Sequence, residues 1–180
     1  MRLYMALFLL WTTSMLSQKN ADPCAMGSLP AGVQELVVDK YPGLRPKALS
    51  DLEGYDRKLW VTSNPHACPG VAVGNFEEAS QRGFAILLIP KSGVEEQYKV
   101  VVIAQSKGSR QYHLSVLDHG ISTPNSGLVI SKVPPGKQTG FDESKSIRLK
   151  LDGIDVEWLE KSSVLYYYSG GRYHELQTSD

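Results

Sequence analysis

A carboxylate beside an imidazole is the pairing from which a general base is most often built, and Leu117-Asp118-His119-Gly120 supplies one. Adjacent side chains on a strand point to opposite faces, so Asp118 and His119 act together only if the chain turns between them. Ser115, Ser122 and Ser131 are potential nucleophiles by proximity in sequence. The other histidines are His66, His113 and His174, and none of the four falls in a His-x-x-x-His zinc-protease pattern. No Gly-x-Ser-x-Gly elbow occurs either. Pro134-Pro135-Gly136-Lys137 lacks the spacing of a phosphate loop, and its prolines have no N–H to offer a phosphate. His66-Ala-Cys68-Pro69 brings one imidazole and one thiol, short of the four ligands of a structural zinc site. A hydrolytic site near Asp118 and His119 is therefore one expectation, with no cofactor and no metal.

The compartment narrows the choice. Arg2 precedes the apolar run Leu3–Trp11, too short to span a bilayer but suited to a secretory signal. Cleavage after Ala21 leaves a mature domain over 22–180 and no stable membrane insertion. In an oxidising compartment, periplasmic or extracellular, the two cysteines Cys24 and Cys68 are expected to pair.

The elements that must position these residues follow from periodicity. Val33, Leu36, Val37 and Tyr41 recur at helical spacing, and Pro42-Gly43 ends the pattern. Leu44–Pro69 is rich in Pro, Asp, Asn and Ser and reads as mainly irregular, pinned by Trp60 and the disulfide. Strands are expected at Val71–Phe76, Phe84–Ile89, Tyr98–Ala104, Tyr112–Leu117 and Leu128–Val133. Their short connections favour antiparallel pairing.

Two turn signals fix registers in the last third. Asp152-Gly153 predicts a two-residue hairpin with Leu151 opposite Ile154, Lys150 opposite Asp155 and Arg148 opposite Glu157. Gly170-Gly171 predicts a second, with Tyr168 opposite Tyr173, Tyr167 opposite His174, Tyr166 opposite Glu175 and Leu165 opposite Leu176. A turn at Lys161-Ser162 joins them into a four-stranded meander over 146–177. Its buried face would carry Ile147, Leu149, Leu151, Ile154, Val156, Trp158, Leu165, Tyr167 and Leu176. The other face would present Arg148, Lys150, Asp155, Glu157, Tyr166, Tyr168, Tyr173 and Glu175, and mixed tyrosine and charge is the composition of protein–protein interfaces.

Gly74-Asn75-Phe76-Glu77-Glu78-Ala79-Ser80-Gln81-Arg82-Gly83-Phe84-Ala85-Ile86 resembles the calcium-loop portion of FG-GAP and related repeats. Asn75 and Glu77 keep oxygen ligands where that family has aspartates, whereas Ala79 and Gly83 do not. The resemblance implies a strand–loop–strand unit with a degenerate calcium loop, since six to eight oxygens are needed. The C-terminal Ser163–Gln177 segment is similar to the terminal hairpin of uncharacterised exported bacterial proteins, which implies origin and compartment.

Composition sets the outer limits. Among 180 residues, 19 Lys and Arg balance 19 Asp and Glu, which excludes nucleic-acid binding through bulk positive charge. Removing 1–21 takes Arg2 and Lys19 away, leaving 17 basic against 19 acidic residues and a charge near −2. The fold expected is α+β: an N-terminal helix packed on a mainly antiparallel β assembly ending in the four-stranded meander. The function expected first is an exported, non-enzymatic protein-binding module of inhibitor or immunity type that uses Arg148, Glu157, Tyr166, Tyr168, Tyr173 and Glu175 toward a protein partner. The alternatives are a periplasmic hydrolase using Asp118 and His119, and a structural module with the degenerate loop.

Overall fold

The computed structural model describes residues 24–91, 96–106, 108, 109 and 111–180. The expected signal, 1–21, lies outside them. The described residues are mostly antiparallel β sheet with two short α-helices. Helix α1 spans Ala31–Lys40, and Val33 and Val37, one turn apart, are its two buried residues. The segment expected to be irregular instead holds a three-residue strand, a 3-10 turn and helix α2, Gly54–Ser63. The helical period is not visible there because Trp60 is the only residue of α2 that is buried, while Tyr55 and Val61 are exposed.

The first sheet contains β1 (Leu44–Pro46), β2 (Val71–Gly74), β3 (Gly83–Pro90), β4 (Glu96–Gln105) and β5 (Tyr112–Ser122). Its order is β1-β3-β4-β5, with β2 also paired to β3. The central strands read as unbroken apolar runs because both faces are covered. Ala85, Leu87, Ile89, Val100 and Val102 face the second sheet. Ile86, Leu88, Val101 and Ile103 pack with Val33 and Val37 of α1.

Six further strands follow: β6 (Leu128–Val133), β7 (Gly136–Thr139), β8 (Ser146–Leu149), β9 (Gly153–Trp158), β10 (Ser162–Ser169) and β11 (Arg172–Ser179). The second sheet runs β11-β10-β9-β6, and β7 with β8 forms a separate hairpin. Ile154, Val156 and Tyr166 close the inter-sheet core with Phe76, Leu128 and Ile130. On the outer side of the second sheet, Trp60 of α2 packs with Leu52 and Val129. Leu149 of the β7–β8 hairpin meets Leu165 and Leu176 on that same side. The order of layers is thus α1, first sheet, second sheet, then α2 together with the small hairpin.

The Gly170-Gly171 hairpin has the expected register throughout, from Tyr168 opposite Tyr173 to Leu165 opposite Leu176. The Asp152-Gly153 hairpin does not form. β8 pairs with β7, so Arg148 lies opposite Lys137, and β9 pairs with β6, so Asp155 lies opposite Ser131. Asp152 is occupied elsewhere: its carboxylate accepts the Asn75 N–H at 2.8 Å, and its own N–H donates to Asn75 O at 3.2 Å. Gly153 serves close packing, since a Cβ there would stand 2.7 Å from Leu165 Cδ1. The fourth strand of the sheet is therefore β6, and the 146–177 meander is corrected accordingly.

The connection from β9 to β10 is also longer than a turn on Lys161-Ser162 allows. Trp158 faces Ser162 across Leu159, Glu160 and Lys161, with Glu160 at φ 60°. Tyr166 consequently lies opposite Ile154. An odd change of register exchanges the two faces of a strand. Tyr166 and Tyr173 turn toward the first sheet, while Leu165 and Tyr167 take the outer side against the β7–β8 hairpin.

Cys24 and Cys68 form the expected disulfide. Beside it, Lys47 is fully buried, with its ammonium donating to Ser126 O. Among the described residues no helix is long and apolar enough to cross a membrane.

Candidate functional site: the mouth between strands β5 and β11

Strands β5 and β11 end their respective sheets, and the inter-sheet space opens between them. A groove of about 430 Å³ lies there, lined by Val116, Leu117, Tyr166, Tyr173 and Glu175, with Tyr167 and His174 around the strand edge. A β-bulge shapes one wall. Val100 pairs with Asp118 and Val101 with Val116, so Leu117 is an extra residue and is directed toward the inter-sheet core.

The same bulge determines what Asp118 can do. One carboxylate oxygen accepts the Tyr98 hydroxyl at 2.9 Å and the other accepts the backbone N–H of His119 at 2.7 Å. His119 lies opposite Lys99 in the pairing with β4, whereas Asp118 reaches inward. The structure therefore does not bring the expected Asp118–His119 pair together. Burial and the Asp118 hydrogen bond push the Tyr98 phenol far above its ordinary range. Burial, reinforced by the negative charges of Asp118 and Glu175, pushes Tyr166 up to about 12.

Glu77 holds one groove wall through Tyr173. It sits in the β2–β3 loop, where one oxygen accepts the Tyr173 hydroxyl at 3.0 Å and the other meets His113 Nε2 at 2.8 Å. His113 Nδ1 lies 3.3 Å from Ser106 Oγ. Three segments distant in sequence are thereby tied together: the loop, β5 and β11. Burial and Glu77 raise the Tyr173 phenol well out of its usual range. The same loop carries the resemblance to a calcium loop. Its Asn75 side chain donates to Ala79 O at 3.0 Å, so hydrogen bonds among protein groups hold the loop where the repeats use a cation. Among the described residues no group of three or more His, Cys, Asp or Glu side chains is placed to hold a metal.

Ser106, His113 and Glu77 stand in the order of a hydroxyl, a base and an orienting acid. The imidazole is positioned to accept the hydroxyl proton while Glu77 steadies the resulting charge. The backbone donors around this turn are engaged within it: Ser106 N–H donates to Gln111 O and Ser109 N–H to Ser106 O.

Of the residues expected on one tyrosine-rich face, Tyr166, Tyr168, Tyr173 and Glu175 do share a face of the β10–β11 hairpin, but it is the face turned toward the first sheet. Tyr166, at 8% exposure, is part of the core, and Tyr173 packs against it. Tyr168 stacks edge-on with Tyr173 at 5.1 Å. Glu175 is exposed beside them. Arg148 belongs to the separate β7–β8 hairpin, and Glu157 pairs with Val129 and Ser163 in the second sheet. Its neighbour Asp155 is pushed up to about 6 by burial and by the charge of Glu157. The linkage of Glu77, His113 and Ser106 left no local mark in the sequence, because it depends on which strands become neighbours.

The sheet ends differ in how their outer edges are covered. On β6, Ile130 N–H donates to Pro69 O at 2.9 Å, and on β11, Gln177 O accepts the Phe141 N–H at 2.9 Å. Among the described residues β5 makes no such backbone hydrogen bond on its outer side, across the eleven residues Tyr112–Ser122. Val116 and Ile121 on that strand are 48% and 67% exposed. Compared with protein-family models, curated proteins and solved structures, the chain matches none.

Proposed function

We propose that this chain is an exported protein-binding module, of inhibitor or immunity type, that captures an extended segment of its partner along β5. The uncovered edge of β5 carries this reading. A long edge strand presents a row of unpaired N–H and C=O groups, and natural proteins blunt such edges unless they are used. Strand addition supplies main-chain hydrogen bonds, while pockets beside the edge select side chains. The adjoining groove offers those pockets, with Leu117, Tyr166 and Tyr173 as aromatic and apolar walls. The bulge at Leu117 limits flat pairing to the stretches on either side of it, which disfavours indiscriminate association. The disulfide and the apolar N-terminal run support export. A double substitution, Val116→Lys with Ile121→Lys, tests the edge. Both side chains are already exposed, so folding should persist while partner capture is lost. Undiminished capture by the double variant would overturn the proposal.

One observation favours a second reading, an acyl-transfer hydrolase: the Ser106–His113–Glu77 geometry. It replaces the Asp118–His119 site as the enzyme alternative. A chromogenic ester series tests it, with turnover that disappears in Ser106→Ala as the supporting result.

A further inference from the structure

The groove beside β5 has a chemical bias that identifies what enters it. Resting on the reading of β5 as a docking edge, we infer that the docked segment seats an arginine side chain between Tyr166, Tyr173 and Glu175. Negative charge there is uncompensated. Among the described residues, Glu175, on the groove wall, is exposed and makes no ion pair, and Asp118, close to Tyr166, accepts from the neutral donors Tyr98 and a backbone N–H. Neither carboxylate takes part in an ion pair among the described residues. The hydroxyl of Tyr166 has no hydrogen-bond partner among the described residues, and the residual exposure of this side chain opens on the groove.

These groups favour a planar cation over a point charge. A guanidinium can lie against phenol rings while its fork of N–H donors reaches a carboxylate and a hydroxyl together. An ammonium satisfies the charge but not the flat aromatic walls. A segment running along the edge in extended form directs every second side chain to the same side, so a single arginine on the groove side suffices. The mature chain's slight excess of acid over base agrees with a basic ligand.

A soluble decapeptide alternating valine and threonine, carrying one central arginine, is titrated into the oxidised mature protein alongside its citrulline twin. Citrulline keeps shape and hydrogen bonding but carries no charge. Backbone amide exchange on β5 reports strand addition, and the ring resonances of Tyr166 and Tyr173 report the groove. Both peptides are expected to protect β5 amides, the arginine peptide at least tenfold more tightly. The difference should vanish in Glu175→Gln, whose exposed site tolerates the change. Equal binding of the two peptides overturns the arginine assignment and leaves the docking edge standing. Failure of both to protect β5 overturns the docking edge and the arginine with it.

Discussion

Lys47 is the buried charge whose behaviour can be worked out most fully. Its side chain is 0% exposed, its ammonium donates to Ser126 O, and burial lowers its pKa from 10.5 to about 8 despite the opposing pull of Asp51 and Asp56. A lysine with a depressed folded pKa makes the folded state release its proton before the unfolded state does. Between the two values the unfolded chain therefore binds more protons, and stability rises with pH. The whole difference amounts to about 3 kcal/mol at roughly 1.4 kcal/mol per pH unit. The phenols of Tyr98, Tyr166 and Tyr173 act oppositely: raised above the ordinary tyrosine value, they lower stability once unfolded tyrosines begin to ionise near pH 10. Below that point Lys47 dominates, and about 2.5 kcal/mol of its effect accrues between pH 7 and 10. Denaturant unfolding of wild type and Lys47→Met at half-unit steps across this window reads it directly. Leaving Ser126 O unpaired displaces the whole Met curve by about 1–3 kcal/mol, so the slope and not the offset is the readout. A Met variant that keeps the wild-type rise would refute the assignment.

Reducing the Cys24–Cys68 bond, which closes a separation of 44 residues, should lower stability by about 4 kcal/mol in paired unfolding curves with and without reductant. Glu77→Ala removes a charge-assisted bond to His113 and strands the Tyr173 hydroxyl, so a loss of about 2–3 kcal/mol is expected, against about 1 for Asn75→Ala. Gly70→Ala should be far more damaging than Gly153→Ala in thermal unfolding: a Cβ at Gly70 would collide with the Lys47 backbone, whereas at Gly153 it meets the terminal methyls of Leu165 and Leu149. Calorimetric titration of calcium should give no heat of binding, because Asn75 and Glu77 are already engaged by Ala79, His113 and Tyr173.

The sequence spoke most clearly where turn chemistry and burial agreed. Gly170 and Gly171, at φ 60° and 83°, gave the β10–β11 register correctly because the hairpin has no competing use for either residue. Asp152-Gly153 carries the same kind of signal, yet Asp152 binds the Asn75 backbone and the chain crosses over. Local patterning cannot distinguish those outcomes, since the partner lies 77 residues away. The tyrosines turned inward through one connection, the three residues between β9 and β10, while Arg148 left their face because β8 pairs with β7. The helix α2 was hidden by its single buried anchor, Trp60. Tyr166, Tyr173 and Glu175 do meet at one groove, and the carboxylate of Glu77, whose approach to Tyr173 and His113 only the sheet order reveals, holds one of its walls.

Amide hydrogen exchange with and without the captured partner tests most directly whether β5 is a docking edge. Docking there should add protection concentrated on alternate amides of Tyr112–Ser122, with the Val116→Lys, Ile121→Lys variant showing none. Protection confined to other surfaces, with β5 exchanging as in the free protein, would contradict it.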